Sequence, residues 1–295
     1  MSLKLGAFSP PVVLAAALAA AVTAGLAPAA FAQDTLARIT ADGSARIGIA
    51  NERPYGYVET DGTVAGSIPD IVRAALAPHG VTELEPQIVD FNALIPGLNA
   101  DRFDIIAAGM YINPQRCEAI AFTNPLTRAG YGFAAKAGNP KGLHSVADAV
   151  ASPDAIVGTQ TGSAQVEALA TAGVPADRTV LFANATEALA GLRADRVDVI
   201  FFPGLELGAL LATANDPAVE RVTPFEQAKT ESGELAYGYA AFGVRKGDDA
   251  LRELLNQEIA RLIESGEMLQ IISKYGYGED ELPTPGVTAE ALCAG

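Results

Sequence analysis

Short β-branched runs alternate with helical patterns along the first third of the chain. Residues 46–50, 85–90 and 103–107 are predicted to be strands, and Ser67-Ile68-Pro69 begins a helix with a capping residue and an early proline. Apolar side chains then recur on one helical face until Pro78-His79-Gly80 ends the pattern. Because strand, helix and strand follow one another in this way, the chain is predicted to contain parallel βαβ units and to have an α/β fold.

Two ten-residue segments of the chain resemble each other. Residues 97–106 read GLNADRFDII, and residues 191–200 read GLRADRVDVI. Each predicts the end of a helix, a tight turn and a buried strand, and their offset of 94 residues is too wide for a solenoid repeat. We therefore expect two similar α/β lobes that each use this unit. The alternative is that two unrelated segments have converged on a common helix–turn–strand pattern.

The N-terminus has the pattern of a secretory signal peptide covering residues 1–32. Lys4 gives a basic start, an apolar run follows from Pro11 to Leu26, and Ala30-Phe31-Ala32 offers small residues for cleavage before Gln33. A membrane anchor is disfavoured because the run is rich in alanine and short for a span. No cysteine follows the run, so we expect a free periplasmic protein rather than a lipid-anchored one.

The remaining length divides between the two lobes. About 260 residues are long for one core and typical of two. We expect lobe 1 to comprise residues 33–128 and 236–295, and lobe 2 to comprise residues 129–235. Tyr131–Ala135 and Tyr237–Val244 are predicted to cross between the lobes as a two-strand hinge, because their glycines and small residues could absorb a rotation.

A long amphipathic helix is predicted after Asp248-Asp249, near the C-terminus. Gly266 is expected to end it, and residues 268–275 to form a last short helix before a proline- and glycine-rich tail. The side chains predicted to face inward are Leu251, Leu254, Leu255, Ile259, Leu262 and Ile263.

The net charge of the chain argues against two classes of partner. The net charge of −15 becomes −16 without Lys4, which is poorly suited to nucleic acid or anionic lipid.

Cys117 and Cys293 are the only cysteines, and in an oxidising compartment they are expected to form a disulfide between the C-terminus and lobe 1. His79 and His144 stand alone in turns, so neither a metal site nor a cofactor is predicted.

Polar and aromatic residues follow the three predicted strands of lobe 1, at the edge where open parallel sheets bind ligands. They are Glu52 and Tyr55 after the first strand, Phe91 after the second, and Gly109, Tyr111 and Arg116 after the third. An acid, three rings and an arginine suit a compact cation that also carries a carboxylate. The rings would attract the cation, Glu52 would pair with its nitrogen, and Arg116 would hold the carboxylate with a bidentate fork.

These residues also have simpler interpretations. Phe91 and Tyr111 could be ordinary core packing, Glu52 a solvated loop acid and Arg116 a surface charge.

Lobe 2 offers a second set of candidate residues. Residues 155–158 predict a strand, and Thr161, Gly162 and Ser163 lead into a helix that starts near Ala164. The free backbone N–H groups of a helix start suit a carboxylate, although Ser163 could be only an N-cap. The strand of the second repeated segment leads to Phe202-Pro203-Gly204, where lobe 2 is expected to offer apolar groups and backbone rather than a charge.

Motifs of catalysis are missing from the sequence. There is no GxSxG elbow, no P-loop and no GxGxxG after a strand, and neither histidine lies near a plausible nucleophile. The residues therefore favour a binding protein over an enzyme.

The whole mature chain resembles the family 3 solute-binding proteins of polar amino-acid ABC importers. The markers are Gly66-Ser67-Ile68-Pro69-Asp70-Ile71, Leu94-Ile95-Pro96-Gly97-Leu98, Phe103-Asp104-Ile105-Ile106, Gly109-Met110, Arg116, Thr161-Gly162-Ser163 and Lys274-Tyr275-Gly276. Within the family, the chain is most similar to ectoine/hydroxyectoine-binding proteins. That likeness is carried by residues 51–57, 107–118 and 138–144 and by the Cys-Ala-Gly ending.

The resemblance implies a type II periplasmic binding protein fold whose two lobes close on a small zwitterion and deliver it to ABC permease subunits, with a monomer as the expected state. It also implies that Tyr55, Phe91 and Tyr111 form an aromatic cage, that Glu52 meets the ring nitrogen and that Arg116 holds the carboxylate. The family often has phenylalanine at the positions of Tyr55 and Tyr111, which leaves the preferred ligand open.

Two further possibilities follow from the resemblance. Polar amino-acid binders often have an acid after the second-lobe strand that holds an α-ammonium group, and its replacement here by Phe202-Pro203-Gly204 argues against an ordinary α-amino acid. A polar amino acid or a betaine is still an alternative ligand. A periplasmic enzyme of the cyclohexadienyl dehydratase type, with Glu52 as its general acid, is a less favoured alternative.

Overall fold

The computed structural model describes Ser2, residues 34–230, Gly233 and residues 235–294. Apart from Ser2, the predicted signal peptide lies outside the described residues. The helices are α1 (Thr35–Asp42), α2 (Ser67–Leu76), α3 (Leu94–Asn99), α4 (Pro114–Ala119), α5 (Val146–Ala151), α6 (Ala164–Ala172), α7 (Ala185–Arg193), α8 (Gly204–Ala214), α9 (Asp249–Glu264), α10 (Glu267–Ser273) and α11 (Ala289–Ala294).

The strands are mostly short. They are β1 (Ser44–Ile49), β2 (Tyr57–Val58), β3 (Val64–Ala65), β4 (Glu83–Ile88), β5 (Ile105–Ile106), β6 (Ala121–Phe122), β7 (Thr127–Ala129), β8 (Tyr131–Lys136), β9 (Val157–Gln160), β10 (Thr179–Phe182), β11 (Val199–Pro203), β12 (Val219–Arg221), β13 (Gly238–Ala240) and β14 (Gly243–Val244). Of the helices in the described ranges, none is long and apolar enough to cross a lipid bilayer.

Two five-stranded sheets define two lobes with the same design. The sheet of lobe 1 has the order β4-β1-β5-β14-β6, and that of lobe 2 has the order β10-β9-β11-β8-β12. In each sheet the first three strands are parallel, and the fourth runs antiparallel to both of its neighbours. The prediction of two similar α/β lobes is confirmed.

The connection between the sheets differs in detail from the prediction. Strand β7 pairs antiparallel with β13, and both lie on the chain between strands of different sheets, so this pair forms the two-strand hinge. The predicted crossing strand Tyr131–Ala135 is instead β8, which pairs with β11 inside lobe 2. The chain passes from lobe 1 to lobe 2 just before Gly130. The sequence alone does not distinguish β7 from β8 because both segments are extended.

The repeated segment forms the same local structure in both lobes. Asp101 and Asp195 both adopt a left-handed conformation with φ of 56°. The next residue donates its backbone N–H to the glycine carbonyl five positions earlier, at 3.0 Å in lobe 1 and 2.9 Å in lobe 2. In each lobe this turn leads from a helix into a buried parallel strand, as predicted.

The C-terminal part of the chain packs back on lobe 1. Helix α9 packs on α2 and buries Leu251, Leu255, Ile259 and Leu262 in the core of lobe 1. Leu254 is half-buried and Ile263 is 36% exposed, so the prediction that Ile263 faces inward is wrong. A single helical face contacts the core, and Ile263 lies beyond its edge.

The predicted disulfide is present. Cys117 of α4 and Cys293 of α11 are bonded, with their Cα atoms 5.7 Å apart and a sequence separation of 176. The end of the tail forms α11, which packs on α4.

Candidate ligand-binding site

A cavity lies between the two lobes at the carboxyl ends of their strands. Its lining residues from lobe 1 are Glu52, Tyr55, Phe91, Ala108, Gly109, Tyr111 and Arg116, and those from lobe 2 are Gln160, Ser163, Ala164, Gln165, Pro203 and Glu206. Ligands of open α/β sheets bind at such crevices. The structure therefore brings all six candidates of lobe 1 and Ser163 of lobe 2 to one place.

Loops after the lobe 1 strands position the lobe 1 residues. Glu52 and Tyr55 stand in a tight turn after β1, where the backbone of Glu52 exchanges hydrogen bonds of 3.0 Å with Gly56 in both directions. Phe91 begins a short 3-10 turn after β4. Tyr111 follows β5 and pairs with Ala240 of the hinge strand β13.

Two glycines make room for the tyrosine rings. Gly109 has φ of 66°, and a Cβ atom added there would lie 2.7 Å from the ring of Tyr55. A Cβ added at Gly238 would lie 1.9 Å from the ring of Tyr111. Larger residues at either position would displace a ring, so the two glycines fix the shape of the cavity wall.

Arg116 is a buried guanidinium without a carboxylate partner. Only 7% of the residue is exposed. It donates to the carbonyl oxygens of Tyr111 at 2.5 Å and Gly162 at 2.9 Å, and its Cζ lies 5.5 Å from the ring centroid of Phe91. Among the described residues, no carboxylate lies within ion-pair distance of Arg116.

The guanidinium is nevertheless charged. Burial lowers the pKa of Arg116 to about 10, which leaves it protonated at neutral pH. Burying an unpaired charge is costly unless a ligand supplies the counter-charge. The guanidinium of Arg116 is therefore able to pair with an anionic group.

Glu52 lies in the same cavity as Arg116. Its carboxylate accepts a hydrogen bond from the Gln160 amide across the gap between the lobes. Burial raises the pKa of Glu52 to about 7, and the hydrogen bond from Gln160 opposes this rise. At neutral pH the carboxyl group is therefore poised between its protonated and ionised forms, and a cationic partner would favour the ionised form.

Glu206 is a second buried carboxyl group of the cavity. It stands in the first turn of α8, is 5% exposed, and its Oε1 has no hydrogen-bond partner among the described residues. Burial, together with the charge of Glu52, raises the pKa of Glu206 well above its ordinary value. Both carboxyl groups also border a wider cavity between the lobes. The expectation that lobe 2 offers no charged side chain here is wrong.

Unpartnered polar atoms are concentrated at this cavity. Within the described part of the chain, the buried side-chain atoms without a hydrogen-bond partner are Tyr55 Oη, Tyr111 Oη, Glu206 Oε1 and Asp248 Oδ2. The first three belong to residues that line the cavity. Asp248 Oδ2 lies 3.1 Å from Arg245 Nε in an ion pair. An unpaired buried polar group costs about 1–3 kcal/mol, so these three groups are candidates for contact with a bound molecule.

Three of the candidates from lobe 2 do not line the cavity. Phe202 is fully buried in the core of lobe 2 beside Leu207, on the other side of β11. Thr161 donates its hydroxyl to the Phe182 carbonyl at 3.2 Å, within lobe 2. Gly162 contributes only the carbonyl that holds Arg116.

Ser163 occupies the N-cap position of α6. It lines the cavity, but its hydroxyl donates to the Gln160 carbonyl at 2.7 Å. It makes no side-chain capping bond to α6.

Several lining residues were missed in the sequence. Strand β9 extends to Gln160, two residues beyond the predicted end, so Gln160 and not Gly158 is the strand-end residue. Pro203 ends β11, and Glu206 follows three residues later. For Glu206 the sequence offers only an acidic residue in the first turn of a helix directly after a strand, which is also an ordinary pattern at protein surfaces.

The lobes contact one another around the cavity. Gln160 of lobe 2 bonds Glu52 of lobe 1, and the Asn113 amide donates to Glu167 at 3.0 Å. The rings of Tyr111 and Tyr131 meet edge to face with centroids 6.0 Å apart. A ligand in this cavity would therefore be enclosed by both lobes.

Two lobes, a two-strand hinge and an enclosed polar–aromatic cavity define a solute-binding protein. The chain belongs to the bacterial extracellular solute-binding proteins, family 3, whose sequence profile matches residues 45–279. It is therefore a solute-binding protein of the kind that serves amino-acid-type ABC importers.

Three comparisons illustrate the range of its relatives. The chain is 32% identical to a probable amino-acid ABC transporter periplasmic-binding protein, y4tE, of Sinorhizobium fredii, over 95% of this chain and 92% of that protein. It is similar to the crystal structure of EhuB in complex with hydroxyectoine, with a TM-score of 0.79 and 37% identity over 88% of this chain and 98% of EhuB. It also resembles an ancestral arginine-binding protein bound to arginine, with a TM-score of 0.68 and 26% identity over 79% of this chain and 98% of that protein.

Proposed function

We propose that the protein captures ectoine or hydroxyectoine in the periplasm and delivers it to an ABC importer. The observation that carries this proposal is the arrangement of the cavity, which is lined by a buried guanidinium without an ion-pair partner among the described residues, a partly buried carboxyl group and three aromatic rings. Such a cavity suits a compact molecule with one negative and one positive end. The similarity to EhuB, whose crystal structure contains hydroxyectoine, supports a cyclic zwitterion.

Arg116 is proposed to hold the carboxylate of the solute. Its contacts with Tyr111 and Gly162 fix the guanidinium plane while leaving further N–H groups for a bidentate pair. Because Gly162 belongs to lobe 2, the same arginine also links the lobes when they close.

Glu52 is proposed to pair with the amidinium group of the solute. The rings of Tyr55, Phe91 and Tyr111 line the same space and would attract the delocalised cation, by about 0.5–2 kcal/mol for each well-placed ring. The Gln160 amide already contacts Glu52 from lobe 2, so closure and cation binding involve the same carboxyl group.

The cellular setting belongs to the same proposal. We propose that residues 1–32 are a cleaved signal peptide, that the mature protein acts as a periplasmic monomer, and that its closed form docks on the permease. We also propose the lobe boundaries from the sequence, with residues 33–128 and 236–295 in lobe 1 and residues 129–235 in lobe 2. The hinge pair β7–β13 then lies at the junction of the two lobes.

Titration calorimetry with the purified mature protein tests the ligand. Ectoine or hydroxyectoine is expected to release heat and to stabilise the fold by about 2.7 kcal/mol at one hundred times its dissociation constant. Arginine, glutamine and glycine betaine serve as competitors for the rival that the site binds another zwitterion. No heat and no thermal shift with either cyclic solute at millimolar concentration would overturn the proposal.

The absence of catalysis is proposed from the family and its relatives. Incubation with prephenate or arogenate, followed by chromatography of the products, is expected to show no turnover. Conversion that is lost in Glu52→Gln would contradict a pure binding role.

A further inference from the structure

Tyr55 Oη, Tyr111 Oη and Glu206 Oε1 belong to three residues that line the same cavity. Burial raises the pKa of both Tyr55 and Tyr111 well above the usual value for a phenol, and the Glu206 carboxyl group is among the neighbouring groups that add to this rise. The two tyrosines stand on lobe 1 and Glu206 stands on lobe 2. None of the three oxygens has a hydrogen bond of normal geometry to the described residues, although the Tyr55 and Tyr111 hydroxyls are near enough to interact with each other.

We infer that the Tyr55 and Tyr111 hydroxyls and the Glu206 carboxyl group form a subsite for a hydroxyl group of the ligand, so that the protein prefers hydroxyectoine to ectoine. This inference rests on the proposed function. It assigns Tyr55, Tyr111 and Glu206 a role in specificity that is separate from ring stacking and from the charge pairs of Glu52 and Arg116.

Charge balance supports an uncharged role for Glu206. A bound zwitterion brings one positive and one negative charge, which Glu52 and Arg116 match. A second ionised carboxylate would leave one buried negative charge uncompensated, and such a charge is costly in a closed cavity. Glu206 is therefore protonated in the complex, and a protonated carboxyl group can both donate and accept a hydrogen bond.

A hydroxyl group fits the chemistry of this subsite. Each of the three side chains can donate and accept, and so can the ligand hydroxyl, so the donors and acceptors can be matched in more than one orientation. A C–H group in that position leaves the buried oxygens unpaired. Sites built to bond a substrate hydroxyl discriminate strongly against the analogue that lacks it, because their own polar groups then go unsatisfied.

The test compares the dissociation constants of hydroxyectoine and ectoine by calorimetry. The wild-type protein is expected to bind hydroxyectoine at least about tenfold more tightly, which corresponds to about 1.4 kcal/mol. In the double variant Tyr55→Phe/Tyr111→Phe the preference is expected to disappear while ectoine still binds, because both rings are kept. Glu206→Gln is expected to keep a preference, since an amide also donates and accepts, whereas Glu206→Met is expected to lose it.

Tyr275→Phe is the matched control. It removes a tyrosine hydroxyl that already bonds Asp70 at 2.6 Å, outside the cavity. Its ratio of dissociation constants should equal that of the wild type.

The inference is overturned if the wild type binds both solutes equally, or if the double phenylalanine variant keeps the preference. Either result would mean that the three oxygens bind water rather than the ligand, and the proposed function would stand. Absence of binding by both solutes would overturn the inference and the proposed function together.

Discussion

Asp104 and Glu206 are two buried carboxyl groups with opposite surroundings, since the first has cationic partners and the second has none among the described residues. The Asp104 side chain is fully buried and forms ion pairs with Arg38, Arg46 and Arg245, with Arg46 Nη2 at 2.7 Å and Arg245 Nη2 at 3.2 Å. Glu206 is almost as buried, but one of its oxygens has no partner among the described residues.

The pKa shifts of the two groups have opposite signs. Burial alone would raise the pKa of Asp104, but hydrogen bonds from Arg46 and Arg38 outweigh it and hold the pKa at about 2. For Glu206, burial and the charge of Glu52 both raise the pKa. The comparison teaches that lobe 1 satisfies its structural carboxylate internally, whereas the cavity leaves Glu206 Oε1 without a hydrogen-bond partner among the described residues.

Breaking the Asp104 cluster should have the largest effect. Asp104→Asn removes the charge that three guanidinium groups share, and breaking a buried ion pair in this way costs about 3–5 kcal/mol. For a chain of this size the melting temperature should fall by about 6–20 °C, as measured by circular dichroism. Asp101→Asn is the control, because Asp101 also pairs with Arg46 but its side chain is 70% exposed, and it should cost at most about 1 kcal/mol. Equal losses in the two variants would contradict the role assigned to Asp104.

Replacing Arg116, the unpaired cation of the cavity, should weaken the binding of the ligand. Arg116→Met leaves the ligand carboxylate buried without a partner, which costs about 2–5 kcal/mol and raises the dissociation constant at least about 30-fold. Arg116→Lys keeps the charge but loses the planar fork, so its affinity should lie between those of Arg116→Met and the wild type. Calorimetry measures the affinity of both variants. Unchanged affinity in Arg116→Met would show that the carboxylate of the ligand does not bind at Arg116.

The outcome for individual residues shows what the sequence could and could not predict. The residues after the lobe 1 strands were predicted correctly as neighbours, because parallel strands end at one edge and each loop carries a distinctive polar or aromatic residue. Phe202 was placed wrongly because β11 is buried on both faces, so an all-apolar strand gives no sign of which side faces the cavity.

Glu206 was missed for a different physical reason. It stands on a helix rather than in a strand-end loop, in the first turn of α8, where the neighbouring Leu205 packs against the core of lobe 1. An acid in the first turn of a helix is ordinarily a favourable surface residue, so local sequence gives no reason to bury it. The hinge at β7 was likewise placed too late, since β7 and β8 form one extended stretch interrupted only at Gly130.

Affinity should depend on pH through Glu52. The groups that face it include Gln160, which bonds it, and Glu206 and Tyr55, whose pKa values it raises. Its pKa is raised to about 7, so below pH 7 a proton must leave before the cation binds. The dissociation constant should rise by up to about tenfold per unit as the pH falls from 7 to 5, and it should level off above 7.

Calorimetry across this pH range checks the sign of the dependence. Affinity that strengthens on acidification would show that the cation does not pair with an ionised Glu52.

The exposed contact between the lobes should matter least. Glu167→Ala removes the bond from Asn113, which lies at the surface and not in the cavity. Exposed pairs contribute about 0–1 kcal/mol, so the dissociation constant should change by less than about fivefold. A larger effect would mean that the exposed contact between Asn113 and Glu167, rather than the buried groups of the cavity, holds the lobes together.

A crystal structure grown with hydroxyectoine tests the central claim most directly. The solute should lie between the lobes, with its carboxylate on Arg116, its amidinium group on Glu52 and its hydroxyl beside Glu206. A solute bound in the opposite orientation, or a cleft in which Arg116 is still unpaired while the solute binds elsewhere, would contradict the claim that these buried groups are kept for a zwitterion.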